Sequence, residues 1–151
     1  MKPSYVRCVF STPLAAILIG CAATPAQSIK WNGYDGHQTA MSASLKKLSP
    51  DTAELVVGSS YTRGDKDGGA HYTVHGPPLL CKVGDDKSYR IPHAGPNMQW
   101  ELGALDPGAV GIGVRVKVSR EEDAVRADCV IEFRSPGDYW DNTMHVILNA
   151  P

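Results

Sequence analysis

The sequence predicts a mainly β domain, an antiparallel β-sandwich or small barrel, with a short N-terminal helix and one disulfide. Three observations carry that expectation. Apolar residues recur with period two through the second half of the chain, and turn-forming clusters interrupt them at short intervals. The chain is also generous in the residues that break helices, with 15 glycines and 11 prolines in 151 residues. One ordinary domain is what this length accommodates.

The first twenty residues stand apart. Met1-Lys2-Pro3-Ser4-Tyr5-Val6-Arg7 is basic, and the run that follows has its apolar core at Leu14-Ala15-Ala16-Ile17-Leu18-Ile19-Gly20-Cys21. A short basic region ahead of a short apolar one is the profile of a secretion signal. The run is shorter than the twenty or so residues that cross a bilayer, and no later segment is apolar enough to do so. Leu18-Ile19-Gly20-Cys21 resembles the lipobox of bacterial lipoproteins, in which a leucine, an aliphatic or small residue and a glycine precede the cysteine. The resemblance covers these four residues and the signal before them. It implies that Cys21 is lipid-modified and becomes the first mature residue, which stably anchors the chain. Ala22 in place of an aspartate points to the outer membrane rather than retention at the inner one. The competing site is the small-x-small triplet Thr24-Pro25-Ala26, where cleavage would release a soluble periplasmic or secreted protein. The expected organisation is a signal peptide over 1–20, a lipidated tether over 21–38 and a β-sandwich domain over 39–151.

Charge narrows the partners. Lys2 and Arg7 fall in the signal, which leaves 13 basic and 16 acidic groups from residue 21 onward, a net −3. That balance argues against a nucleic-acid partner. It also supplies no polybasic attraction to a membrane, so any membrane contact is expected through the lipid anchor. Cys8 lies in the signal and Cys21 at the lipid site, so Cys81 and Cys129 remain as an even pair in an oxidising compartment. A disulfide between them is expected.

Along the mature chain, residues 22–38 are rich in Ala, Thr, Pro, Gln, Ser and Gly and read as the tether. Met41, Leu45 and Leu48 recur at four and three, the spacing of one helical face, which predicts a short helix over about 38–48. Ser49-Pro50-Asp51 ends it. From there the period is two: Ala53, Leu55 and Val57 share a face, and Arg63–Gly69 turns into a return strand over 70–75. Leu79, Cys81 and Val83 align before the Gly84-Asp85-Asp86 turn, with a strand to Ile91 and a short one near Asn97–Leu102. The strongest signal is a long hairpin. Val110, Ile112, Val114, Val116 and Val118 face one way with Arg115 and Lys117 opposite. Val125, Ala127, Cys129, Ile131 and Phe133 then repeat the pattern with Arg126, Asp128, Glu132 and Arg134 opposite, Val130 being the exception. A last strand aligns Met144, Val146 and Leu148.

Chemistry-bearing motifs are sparse. Val57-Gly58-Ser59-Ser60-Tyr61 is not the GxSxG elbow and lies in a strand pattern. His71 and His75, four apart on a strand, stand about 13 Å from one another, too far to hold one ion together, and only with His93 contributed from elsewhere does a metal site stay open. The carboxylates Asp65/Asp67, Asp85/Asp86 and Glu121–Asp123 all fall at turns, and Arg63-Gly64-Asp65 reads as turn composition. No catalytic residue, metal or cofactor is therefore expected. Loop-borne aromatics remain as candidate interface residues: Trp31, Tyr34, Trp100, Tyr139 and Trp140. Their alternative role is to cap the open ends of the domain, and the next surface in line is the polar sheet face carrying Arg115, Lys117, Arg126 and Arg134. The expected function is a non-catalytic envelope lipoprotein that binds a protein partner, as an inhibitor, immunity or protection protein. A structural lipoprotein of an outer-membrane or secretion complex is the second reading, and a hydrolase with an unfamiliar site the third.

Overall fold

Alternation of buried and exposed side chains governs most of the strands in the computed structural model, which describes residues 26–32, 38–62, 71–92, 98–134 and 142–151. The described residues form ten strands and no helix: β1 (Ala26–Asn32), β2 (Gln38–Ser49), β3 (Thr52–Thr62), β4 (His71–His75), β5 (Leu79–Lys82), β6 (Asp86–Pro92), β7 (Glu101–Leu102), β8 (Gly111–Glu121), β9 (Ala124–Arg134) and β10 (Asn142–Ala150). They make two antiparallel sheets. The first is ordered β1-β2-β3-β4, with β5 also paired to β3, and the second β10-β9-β8-β6-β7. Both sheets contribute to one buried core, an arrangement consistent with a β-sandwich.

The strand β3 shows how sequence sets topology. Its Gly58–Thr62 half pairs with β4, and its Thr52–Leu55 half pairs with β5 on the same side. Pro77 and Pro78 lie between these partners and have no amide hydrogen to donate, so one edge strand is split in two. Gly76 still donates its N–H to the Val57 carbonyl at 2.9 Å, holding the split edge in place. From β5 the chain enters the second sheet through Val83, Gly84 and Asp85. Val83 donates to the Asp51 carbonyl, Gly84 to that of Val118, and Val118 to that of Asp85. Gly84 sits at φ 95°, a left-handed conformation that suits glycine. The Asp85 carboxylate accepts from the Lys82 amide at 2.9 Å and pairs with Lys87 at 2.9 Å. The hydrogen bond from Lys87 leads the causes that hold the Asp85 carboxyl below its ordinary range.

Three expectations need correction. Residues 38–48 are not helical: they are strand β2, in which Met41, Ala43 and Leu45 are buried in alternation. Met41 and Leu45, four apart, satisfy a strand's face as well as a helix's. Leu48 is odd in that count, and it is 49% exposed beside a bulge between Lys47 and Ser49. Within 21–38, expected as a tether, Ala26–Asn32 is instead a strand paired with β2.

The third correction concerns Cys81 and Cys129, which are free thiols rather than a disulfide. Both face the core, from β5 and β9 in opposite sheets, and are almost wholly buried. Facing sheets pack about 10 Å apart, whereas a disulfide needs Cα atoms within about 7 Å. Inward phase on two strands therefore does not suffice to join them. Burial pushes both thiols up to about 12, and the neighbouring Cys81 adds to the effect at Cys129. A thiol pKa raised on folding stabilises the fold fully below the unfolded value of 9.0 and progressively less as pH climbs towards about 12. The stability of the wild type, followed by urea unfolding, is accordingly expected to fall more steeply above pH 9 than that of a Cys81→Ala/Cys129→Ala variant. A wild type and variant with parallel profiles would show that folding does not raise the thiols.

Candidate functional site

The outer face of the second sheet is built in rows across four strands. Ser88 of β6, Arg115 of β8, Val130 of β9 and His145 of β10 are successive cross-strand partners. One row further along, Arg90, Gly113, Glu132 and Thr143 are partners, and on the other side Asp86, Lys117, Asp128 and Ile147. Strand alternation puts these side chains opposite the core, which is why the polar members of β8 and β9 share one surface.

The segment after β7 folds over part of this face. Gly103 donates its N–H to the Ser88 carbonyl at 3.0 Å. Leu105 is 5% exposed although it lies on the outside of the sheet. Gly113 makes the seat: a Cβ there would lie 3.3 Å from both Cγ and Cδ1 of Leu105. Arg134 fixes the segment by donating from Nη1 to the carbonyls of Asp106 at 2.5 Å and Leu105 at 3.5 Å. Arg90 closes its start through an ion pair with Glu101 at 3.0 Å.

Between this segment and the sheet is an open depression of about 340 Å³. Leu105, Ala104 and Val130 form its apolar part, and Arg115, Glu132, His145 and Ser88 its polar part. A second depression of about 220 Å³, lined by Asp86, Arg115, Lys117, Asp128 and Val130, shares Arg115 and Val130 with the first. Arg115 is 70% exposed and lies 3.8 Å from Asp86. The surface thus offers a cation, an imidazole and a carboxylate around an apolar centre. It can pair charges and exchange hydrogen bonds with a ligand placed across it.

The residues singled out from sequence fall in several places. Trp100 is half-buried and packed against the core, its indole N–H donating to the Pro77 carbonyl at 2.6 Å. It meets Tyr89 edge to face at 6.5 Å and lies over Gly76, where an added Cβ would come within 2.6 Å of its ring. Trp31 lies on β1, with its side chain outside what the structure describes, and Tyr34, Tyr139, Trp140 and Cys21 lie outside the described residues. So do His93 and the Arg63–Gly69 segment. Ser59 is buried, and its hydroxyl donates to the Ala40 carbonyl at 3.2 Å. His75 is exposed on the first sheet and reaches over Gly58 toward Ser42. Arg126 is tied to Glu121 at 2.9 Å. Among the described residues no cluster of His, Cys, Asp and Glu is arranged to hold a metal ion.

Of the fallback polar face, Arg115 and Lys117 stand free of the core at the depressions, while Arg134 holds the covering segment. The seat of Leu105 on Gly113 went unread in the sequence. A small residue opposite an isolated leucine after a turn was the only signal for it. Fold and site together define a mainly β, two-sheet domain that presents a mixed polar and apolar outer surface. Compared with known protein families, curated proteins and solved structures, the chain matches none.

Proposed function

We propose that the chain is an envelope lipoprotein, anchored at Cys21, whose two-sheet domain is a sandwich that binds a protein partner without catalysing a reaction. The observation that supports it best is the outer face of the second sheet. Its apolar centre of Leu105 and Val130, ringed by Arg115, Glu132 and His145, has the core-and-rim chemistry of protein interfaces. The depression is shallow and open, suited to a protruding side chain of a partner. Its covering segment is pinned by Arg134, so the surface is formed before binding. Such a surface suits an inhibitor, immunity or protection protein.

The test is photocrosslinking in intact cells from a reactive residue placed at 115, 130 or 145, with exposed position 122 on the β8–β9 turn as the control. One protein adduct shared by the three sites, absent from 122 and lost from 115 and 145 on Val130→Asp, is the expected result. Adducts no different from those at 122 would overturn the reading.

A further inference from the structure

We propose that one corner of the first sheet's outer face, around Leu48, Val56 and Leu80, lies against the membrane surface that holds the Cys21 lipid. The proposal rests on the anchored reading above and says how the domain sits once anchored.

Three large apolar side chains are exposed at this corner: Leu80 is 53% exposed, Leu48 49% and Val56 38%. Register brings them together. Ser44 pairs with Val56, and Lys46, Glu54 and Leu80 are successive cross-strand partners in the next row but one. Leu48 follows at the bulge near the end of β2. Lys46 and Lys82 are exposed beside them, at alternating positions of the same strands. Further along the same face Ser42, Gly58 and Ser60 take over, and the large apolar side chains stop. Apolar side chains flanked by lysines are the composition of a surface that rests in a lipid headgroup region, where the lysine stems lie along apolar ground and the ammonium groups meet phosphate.

Chain length names the occupant. β1 begins at Ala26, and Ala26 pairs with Ser44 at this same corner. Five residue steps separate it from Cys21, and a chain fully extended at about 3.6 Å per residue spans at most about 18 Å. With strands about 4.8 Å apart, Val56 stands two spacings, about 10 Å, from Ala26, and Leu80 stands three spacings and two residues away, about 16 Å. A lipid on Cys21 therefore holds the bilayer within reach of this corner. The depressions lie on the opposite sheet's outer face, which leaves them turned from the membrane and open to a partner.

The full lipidated chain, carrying Leu48→Cys, Leu80→Cys or Leu102→Cys, is labelled with a fluorophore while folded, when Cys81 and Cys129 are buried. It is then reconstituted into vesicles of phosphatidylethanolamine and phosphatidylglycerol containing a nitroxide-bearing lipid. Quenching at 48 and 80 about twofold or more greater than at 102 is expected, since only the first two sites reach the interface. Protein that floats with the vesicles but is quenched equally at all three sites overturns the orientation and leaves the anchor intact. Protein that does not float and carries no lipid overturns both. Labels at 48 that report on one another between copies, without lipid quenching, would assign the corner to a second copy and equally overturn the proposal.

Discussion

Gly111→Ala is expected to destabilise the protein by about 3 kcal/mol or more, through a steric conflict that neither neighbouring strand can relieve. Gly111 opens β8 at φ 153° and pairs with Pro92 of β6. A Cβ at this position would sit 2.1 Å from the Ile91 carbonyl oxygen and 2.9 Å from the Pro92 Cα, both backbone atoms. The strands would have to part at the end of their ladder, close to the fully buried Ile91 and Ile112. Gly108→Ala is the control. It also has a positive φ, 80°, but nothing lies within 4 Å of the added methyl. It should cost only the conformational preference, about 1 kcal/mol. Urea unfolding of both variants separates the two terms, and equal losses would refute the steric account.

Trp100→Ala is expected to cost about 3 kcal/mol. The indole fills the space over Gly76, packs on Tyr89 and satisfies the Pro77 carbonyl, so its removal leaves a cavity and an unpaired acceptor. Gly76→Ala in the wild type forces its methyl into the Trp100 ring at 2.6 Å. In the Trp100→Ala background the same change should be much milder. The pair is therefore expected to couple strongly in a double-mutant cycle. If Trp100 were instead an exposed anchor for a partner, its truncation would change folding by less than about 0.5 kcal/mol.

How far the sequence foretells this molecule depends on how many neighbours a segment has. The β8–β9 hairpin was readable residue by residue, because one face is wholly buried and the other wet, and period two follows directly. Even Val130, the break in the pattern, proved to be the apolar centre of the depression. Strand β2 was misread because Met41 and Leu45 fit both periods, and the decisive Ala43 is too small to signal a buried position. Strand β1 looks like tether in the sequence. Among the described residues it pairs with β2 alone, and its Ser28, Lys30 and Asn32 resemble loop composition. The covering segment could not be foreseen, since Leu105 acquires its seat only when Gly113 arrives from a distant strand. Arg115 and Lys117 were legible as a polar face, whereas the depressions between them and their neighbours are a product of three-strand register.

The anchored binding module stands or falls on the chemistry of one residue. Mass spectrometry of the N-terminal peptide, from protein matured in a host that processes such signals, tests it most directly. The account predicts a peptide that begins at Cys21 and carries a diacylglyceryl group and a further acyl chain. A mature chain that begins at Gln27, after cleavage behind Ala26, and carries no lipid would contradict it.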